Sequence, residues 1–165
     1  MNERMEKDSI GSKTVPGEAY YGIQTMRAVE NFPITGVPVH PELVVALARV
    51  KKAAARANME LKRLPHAIGE AIAQAADEIA QGRLADQFVV DSIQGGAGTS
   101  INMNMNEVLA NRALELMGYG KGDYFHCSPN NHVNMSQSTN DAIPTALRIA
   151  ARRLTERLLA TMAEV

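Results

Sequence analysis

Apolar residues recur along this chain at steps of three and four, the spacing that puts them on one face of a helix. Leu43, Leu47, Val50, Ala54, Ala57 and Leu61 form the first such stripe, behind Pro41, a residue suited to a first helical position. Ile68, Ile72, Ala75 and Ile79 follow behind Pro65, and Gly82 stands where a C-terminal cap belongs. Met105, Val108, Leu109, Ala113 and Leu116 make a third stripe, in a helix predicted from about Met103 and stopping at Gly118. Leu147, Ala150, Leu154, Leu158 and Met162 make a fourth. Pro144 is expected in the first turn of that last helix, because an interior proline costs about 3 kcal/mol. Two short strands are expected near residues 3–8 and 13–16, paired across Ile10-Gly11. No repeat, low-complexity tract or flexible linker interrupts the pattern, so the fold class is mainly α with a short N-terminal β-hairpin. The last stripe reaches Val165 without Gly, Pro or a basic final turn, and a stripe broken off in this way predicts a continuation, with a terminal helix that frays as the other reading.

Composition narrows the setting. The chain has 165 residues, 45% hydrophobic and 21% charged, which suits one globular domain with a real core and argues against disorder. A net charge of −1 gives no electrostatic case for nucleic acid or an anionic membrane. The pairs Lys51-Lys52 and Arg152-Arg153 read as solvated helix faces. No apolar run approaches the ~20 residues of a membrane span, and residues 1–8 lack the apolar centre of a secretory signal. Cys127 is alone, which precludes an intrachain disulfide and suits a reducing, cytoplasmic setting. His40, His66, His126 and His132 show no paired-ligand spacing for a metal.

Candidate chemistry lies at two predicted helix starts. Ser136-Gln137-Ser138-Thr139-Asn140-Asp141 gathers hydroxyls, an amide and a carboxylate just before the last helix. A helix start presents unpaired N–H groups and a partial positive charge, and so attracts anions. These residue types are also ordinary N-caps, and that reading competes with a ligand site. Gln94-Gly95-Gly96-Ala97-Gly98-Thr99-Ser100 is a glycine-rich loop leading into the third helix. It lacks the Lys-Ser/Thr of a phosphate loop, and Ile101 stands where a dinucleotide fingerprint needs its third glycine. Two anion-friendly helix starts without a phosphate signature point to a small ligand bearing carboxylates.

Ordered blocks along nearly the whole chain resemble the N-terminal part of the aspartate ammonia-lyases, in the aspartase/fumarase superfamily. They include Glu6 to Gly11, Tyr20 to Ala28, Glu30 to Ile34, the glycine loop, Asn102 to Glu107, Asn111-Arg112-Ala113 and Val133 to Asp141. Within the superfamily, Gly95-Gly96-Ala97-Gly98-Thr99 and Asn131-His132-Val133-Asn134 are similar to the ammonia-lyase branch rather than to class II fumarase, which stays the alternative. The resemblance implies a reversible anti-elimination of ammonia from L-aspartate to give fumarate, with no organic cofactor. It implies that Thr99, Ser138, Thr139 and Asn140 hold the substrate carboxylates, and that His132 is structural rather than the base. It also implies a homotetramer built on a central helical bundle, with residues 1–140 as the N-terminal domain and 141–165 as the truncated start of the bundle. The superfamily's Gly-Ser-Ser loop, which carries the serine base and an anchoring lysine, is absent from these residues, so the chain alone is expected to be inactive. A non-catalytic dicarboxylate-binding domain and a helical assembly module using the Leu147–Met162 stripe are the other readings.

Overall fold

The computed structural model describes residues 3–164. A hairpin opens the chain, with β1 (Glu3–Lys7) antiparallel to β2 (Ser12–Pro16) and Met5 opposite Thr14. Asp8 makes the turn: its Oδ1 accepts from Ile10 N at 2.9 Å and Gly11 N at 3.1 Å. Both strands lie within a residue of their expected limits. Val15 is fully buried and packs with Ala19 and Ile23, seating the hairpin on the first helix.

Five α-helices follow: α1 (Ile23–Asn31), α2 (Pro41–Glu60), α3 (His66–Ala80), α4 (Thr99–Leu116) and α5 (Thr139–Ala163). Helix α2 packs against both α3 and α5, while α4 packs against α3 and α1. The core lies between them, where Leu47, Ile72, Ile79, Met105, Leu109 and Leu114 are buried almost completely. Each such side chain contributes about 1.5–3 kcal/mol by leaving water. Among the described residues, no helix is long and apolar enough to cross a membrane.

The proline and glycine signals act where the sequence places them. Pro41 is the first residue of α2, and Nδ1 of the capping His40 accepts from Glu42 N at 3.1 Å. Helix α3 ends with Gly82 N bonded to Ile79 O at 2.9 Å and Arg83 N to Glu78 O at 3.0 Å, the paired bonds of a Schellman end. Gly118 ends α4 in the same way, with Tyr119 N bonded to Leu114 O at 2.9 Å.

Three expectations change, and one helix is additional to them. Helix α1 carries no long apolar stripe and escapes the periodicity; its buried residues are Ile23, Thr25 and Ala28. Helix α4 begins at Thr99, four residues before the expected start, because its first turns bury asparagines rather than an apolar stripe. Pro144 is the sixth residue of α5, not in its first turn, because Ser138 and Asp141 form a capping box that starts the helix early. The lost bond would have ended on the carbonyl of Asn140, an exposed residue, so water can meet that group. Lys51 is not on a solvated face: it is fully buried, and the C-terminal half of α2 turns Lys51, Ala55 and Asn58 inward while Leu61 is exposed. Its neighbour Lys52 bonds Asp77 of α3.

Helix α5 meets α2 through a face of small residues, with Ala142, Ala146 and Ala150 buried beside Ile143. Of the expected stripe only Ala150 is buried, and Leu158 and Met162 are about 60% exposed (59% and 63%).

Candidate functional site

The starts of α4 and α5 lie side by side. Gly98, the N-cap of α4, has a left-handed φ of 88°, and a Cβ there would stand 2.9 Å from Ile143 Cγ2 of α5. Only glycine allows that approach and that backbone together. One turn into α4, Asn102 Nδ2 donates to Thr139 Oγ1 at 3.2 Å, the first residue of α5. Thr99 and the Ser138–Asn140 triplet therefore flank one junction between two helix N-termini.

Their states differ. Thr99 is exposed, and among the described residues no acceptor meets the backbone N–H of Thr99 or Ser100. The next amide, Ile101 N, is taken by Gln94 Oε1 at 3.0 Å. Ser138 is the N-cap of α5, with its Oγ accepting from Asn140 N at 3.1 Å and its own N–H bonded to Asp141 Oδ2 at 2.9 Å. The capping role expected of such residues is therefore real for Ser138. A hydroxyl that accepts still has its proton to donate, so Ser138 and Thr139 remain available as neutral donors. Asn140 is exposed at the same edge.

Beneath the junction runs a polar network that the periodicity did not reveal. Asn134 Oδ1 accepts from Lys51 Nζ at 2.9 Å, Asn102 Nδ2 at 3.1 Å and Asn106 Nδ2 at 3.3 Å. Gln137 Oε1 accepts from Lys51 Nζ at 3.0 Å, and Gln137 Nε2 donates to Val133 O at 2.8 Å. Asn58 Nδ2 donates to Met135 O at 3.0 Å. The loop from Asn134 to Gln137 is thus held from α2 and α4 at once, with Ser136 at its apex in a left-handed conformation (φ 58°). Asparagines one turn apart inside a helix, as Asn102 and Asn106 are, were the available sequence signal, since asparagine is a poor interior helix residue.

Burial also sets the local acid–base chemistry. Desolvation brings the Lys51 ammonium down to about 7, opposed by the charge of Asp141. His132 is held low by burial, and its Nδ1 accepts from Ser128 N at 2.9 Å, a structural role in the turn Pro129–Val133. Cys127 is buried and its thiol is pushed up to about 12, which leaves it protonated and a poor nucleophile.

A second face of α4 does different work. Glu107 accepts from Gly22 N at 2.8 Å, Gln24 N at 2.8 Å, Thr25 N at 3.0 Å and Thr25 Oγ1 at 2.6 Å. Glu6 Oε2 takes the remaining amide of that turn, Ile23 N, at 2.9 Å. Burial pushes the Glu107 carboxyl up while these donors pull it the other way.

With this geometry in place, the chain can be set beside known proteins. A family model described as lyase matches residues 11–165. The aspartate ammonia-lyase of Bacillus subtilis is 64% identical over 162 residues, covering 98% of this chain and 34% of that protein. The aspartate ammonia-lyase of Pseudomonas aeruginosa is 56% identical over 163 residues, with the same 98% and 34% coverage. The chain thus spans about a third of the length of these curated relatives. Among solved structures, one described as fumarate lyase:delta crystallin from Brucella melitensis superposes with a TM-score of 0.89 at 58% identity, covering 90% of this chain and 35% of that one. Recombinant class II fumarase from Schistosoma mansoni superposes at 0.83 with 38% identity, covering 90% and 32%. By the extent of the family match and by this shared fold, the chain belongs to the lyase family of the aspartase/fumarase superfamily.

Proposed function

We propose that this chain is the N-terminal third of an aspartate ammonia-lyase and supplies part of the cradle for the substrate's carboxylates. The observation that carries the reading is the junction of the α4 and α5 starts, tied by the Asn102–Thr139 bond, in a chain 64% identical to an aspartate ammonia-lyase. In the proposed reaction a base takes a proton from the carbon beside the β-carboxylate of L-aspartate. The electron pair spreads into that carboxylate as an aci-carboxylate and then forms the C=C bond as the C–N bond breaks and ammonia leaves, giving fumarate. So weakly acidic a C–H needs its developing charge held by preorganised donors, each contributing about 3–4 kcal/mol when well placed. Thr99, Ser138, Thr139 and Asn140 are the donors this chain offers. The base belongs to a serine loop that these residues do not contain, so the chain by itself is inactive. Residues beyond about 140 begin a helical bundle on which a homotetramer is assembled in the cytoplasm.

Identity of 64% and 56% to ammonia-lyases against 38% to a class II fumarase favours amine over water as the leaving group. The test follows fumarate by its ultraviolet absorbance, using the full-length lyase with L-aspartate and, separately, with malate. Turnover of aspartate is expected, and turnover of malate alone would favour the fumarase reading. The 165-residue chain by itself is expected to form no fumarate, and sustained turnover would overturn the missing-base argument.

A further inference from the structure

Lys51 stands in the middle of α2 as the largest fully buried side chain among the described residues. A buried ammonium ordinarily faces a carboxylate, because an unpaired charge out of water is costly. Here both partners are neutral amide oxygens, Asn134 Oδ1 at 2.9 Å and Gln137 Oε1 at 3.0 Å. Both belong to the loop that leads into α5. The same Asn134 oxygen accepts from Asn102, whose amide also reaches Thr139 Oγ1, so a chain of three hydrogen bonds connects the charge to the first residue of α5. A loop with a non-glycine residue in the left-handed region needs its surroundings to hold it there, and Ser136 is that residue.

We propose that Lys51 is a positioning residue of the carboxylate site: its ammonium clamps Asn134 and Gln137, holds the 134–137 loop under the α5 start, and lends that junction a positive charge that, among the described residues, touches no carboxylate directly. This rests on the reading of the junction as a dicarboxylate cradle. Such a charge draws an anion toward the exposed donors and is stabilised in turn when the anion arrives. Among the described residues the groups facing it are few. Asn102 and Asn106 on α4 and Asn134 and Gln137 on the loop do not titrate, Asp141 on α5 is the charged group that acts on it, and Lys52 beside it is bonded to Asp77 of α3. With burial bringing the ammonium down to about 7, the unliganded site loses this charge as pH rises through neutrality.

Two arms test the proposal. In the 165-residue chain, amide hydrogen exchange is compared between wild type and Lys51→Met, which keeps the apolar stem. Exchange at residues 134–138 is expected to quicken at least tenfold while the α3 core is unchanged, and equal loop exchange would overturn the clamp. In the full-length lyase, kcat/KM for L-aspartate is followed against pH. Wild type is expected to lose affinity for aspartate on the alkaline side of neutrality, and Lys51→Met to show a kcat/KM at least tenfold lower with that limb gone. His132 is the same in both proteins and cancels in the comparison. If Lys51→Met does not fold, Gln137→Met serves: an ammonium stripped of one acceptor should shift the limb to lower pH, and an unmoved limb would overturn the proposal. Absence of wild-type aspartate turnover would overturn the ammonia-lyase reading, with the exchange arm still deciding the clamp.

Discussion

At the start of α1 the amides of Gly22, Gln24 and Thr25 end on Glu107 and that of Ile23 ends on Glu6, whereas at the start of α4 those of Thr99 and Ser100 meet no acceptor among the described residues. One helix organises both ends, since Glu107 and the network residues Asn102 and Asn106 all belong to α4. Where the chain fills a helix N-terminus with its own buried carboxylates, the result is an internal bolt between the hairpin, α1 and α4. Gly22 makes room for it: a Cβ there would lie 2.6 Å from Glu6 Oε2 and 2.9 Å from Glu107 Cδ. At the α4 start the chain supplies no carboxylate of its own, and at the α5 start the Asp141 carboxylate is spent on Ser138 N at 2.9 Å, so the hydroxyls and free amides there suit a carboxylate from outside. The two ends differ in how many of their amides the chain itself satisfies.

Breaking the bolt should have the largest effect. Glu107→Ala strands the buried amides of Gly22 and Thr25, the half-buried amide of Gln24 and the Thr25 hydroxyl, so a loss of about 3–5 kcal/mol is expected in urea unfolding. A loss under 1 kcal/mol would mean that α1 does not depend on its internal carboxylate.

At the open end the sign reverses. The Lys51 ammonium is lowered from 10.5 to about 7 in the folded chain, so between those values the unfolded chain binds more protons and stability rises with pH. Its burial therefore costs stability in full below pH 7 and ceases to cost any above 10.5. Lys51→Met removes that cost but leaves Gln137 Oε1 without its donor, and a net gain of about 1–3 kcal/mol at pH 6 is expected. The gain should fade in urea unfolding as pH approaches 10, and a gain independent of pH would contradict the charge argument. Gly98→Ala comes next, combining a left-handed backbone with the contact on Ile143, and should lose about 1–2 kcal/mol by thermal unfolding. Thr139→Val in the full-length lyase should raise the Michaelis constant for L-aspartate about tenfold, or ~1.4 kcal/mol. Unchanged kinetics would remove Thr139 from the cradle.

Local chemistry determined much of the architecture. Pro41, Gly82 and Gly118 set helix limits that need no distant partner, because a missing N–H or a left-handed φ acts on the residue's own turn. The hairpin turn at Asp8–Gly11 and the cap at Ser138 are local in the same sense, and the Ser138–Asn140 and Thr99 junctions were visible as hydroxyl-rich helix starts. Tertiary structure alone decided which faces are wet. Lys51 looks like any helix-surface lysine until α2 meets partners 83 and 86 residues away in the chain. Helix α1 is nine residues long with no apolar stripe, and it depends on a carboxylate more than 80 residues distant. Periodicity reports how apolar residues repeat, but it cannot say that a cation or a helix end will find its hydrogen-bond partners across the fold. That depends on three-dimensional placement, and here it sets both the bolt at Glu107 and the clamp at Lys51.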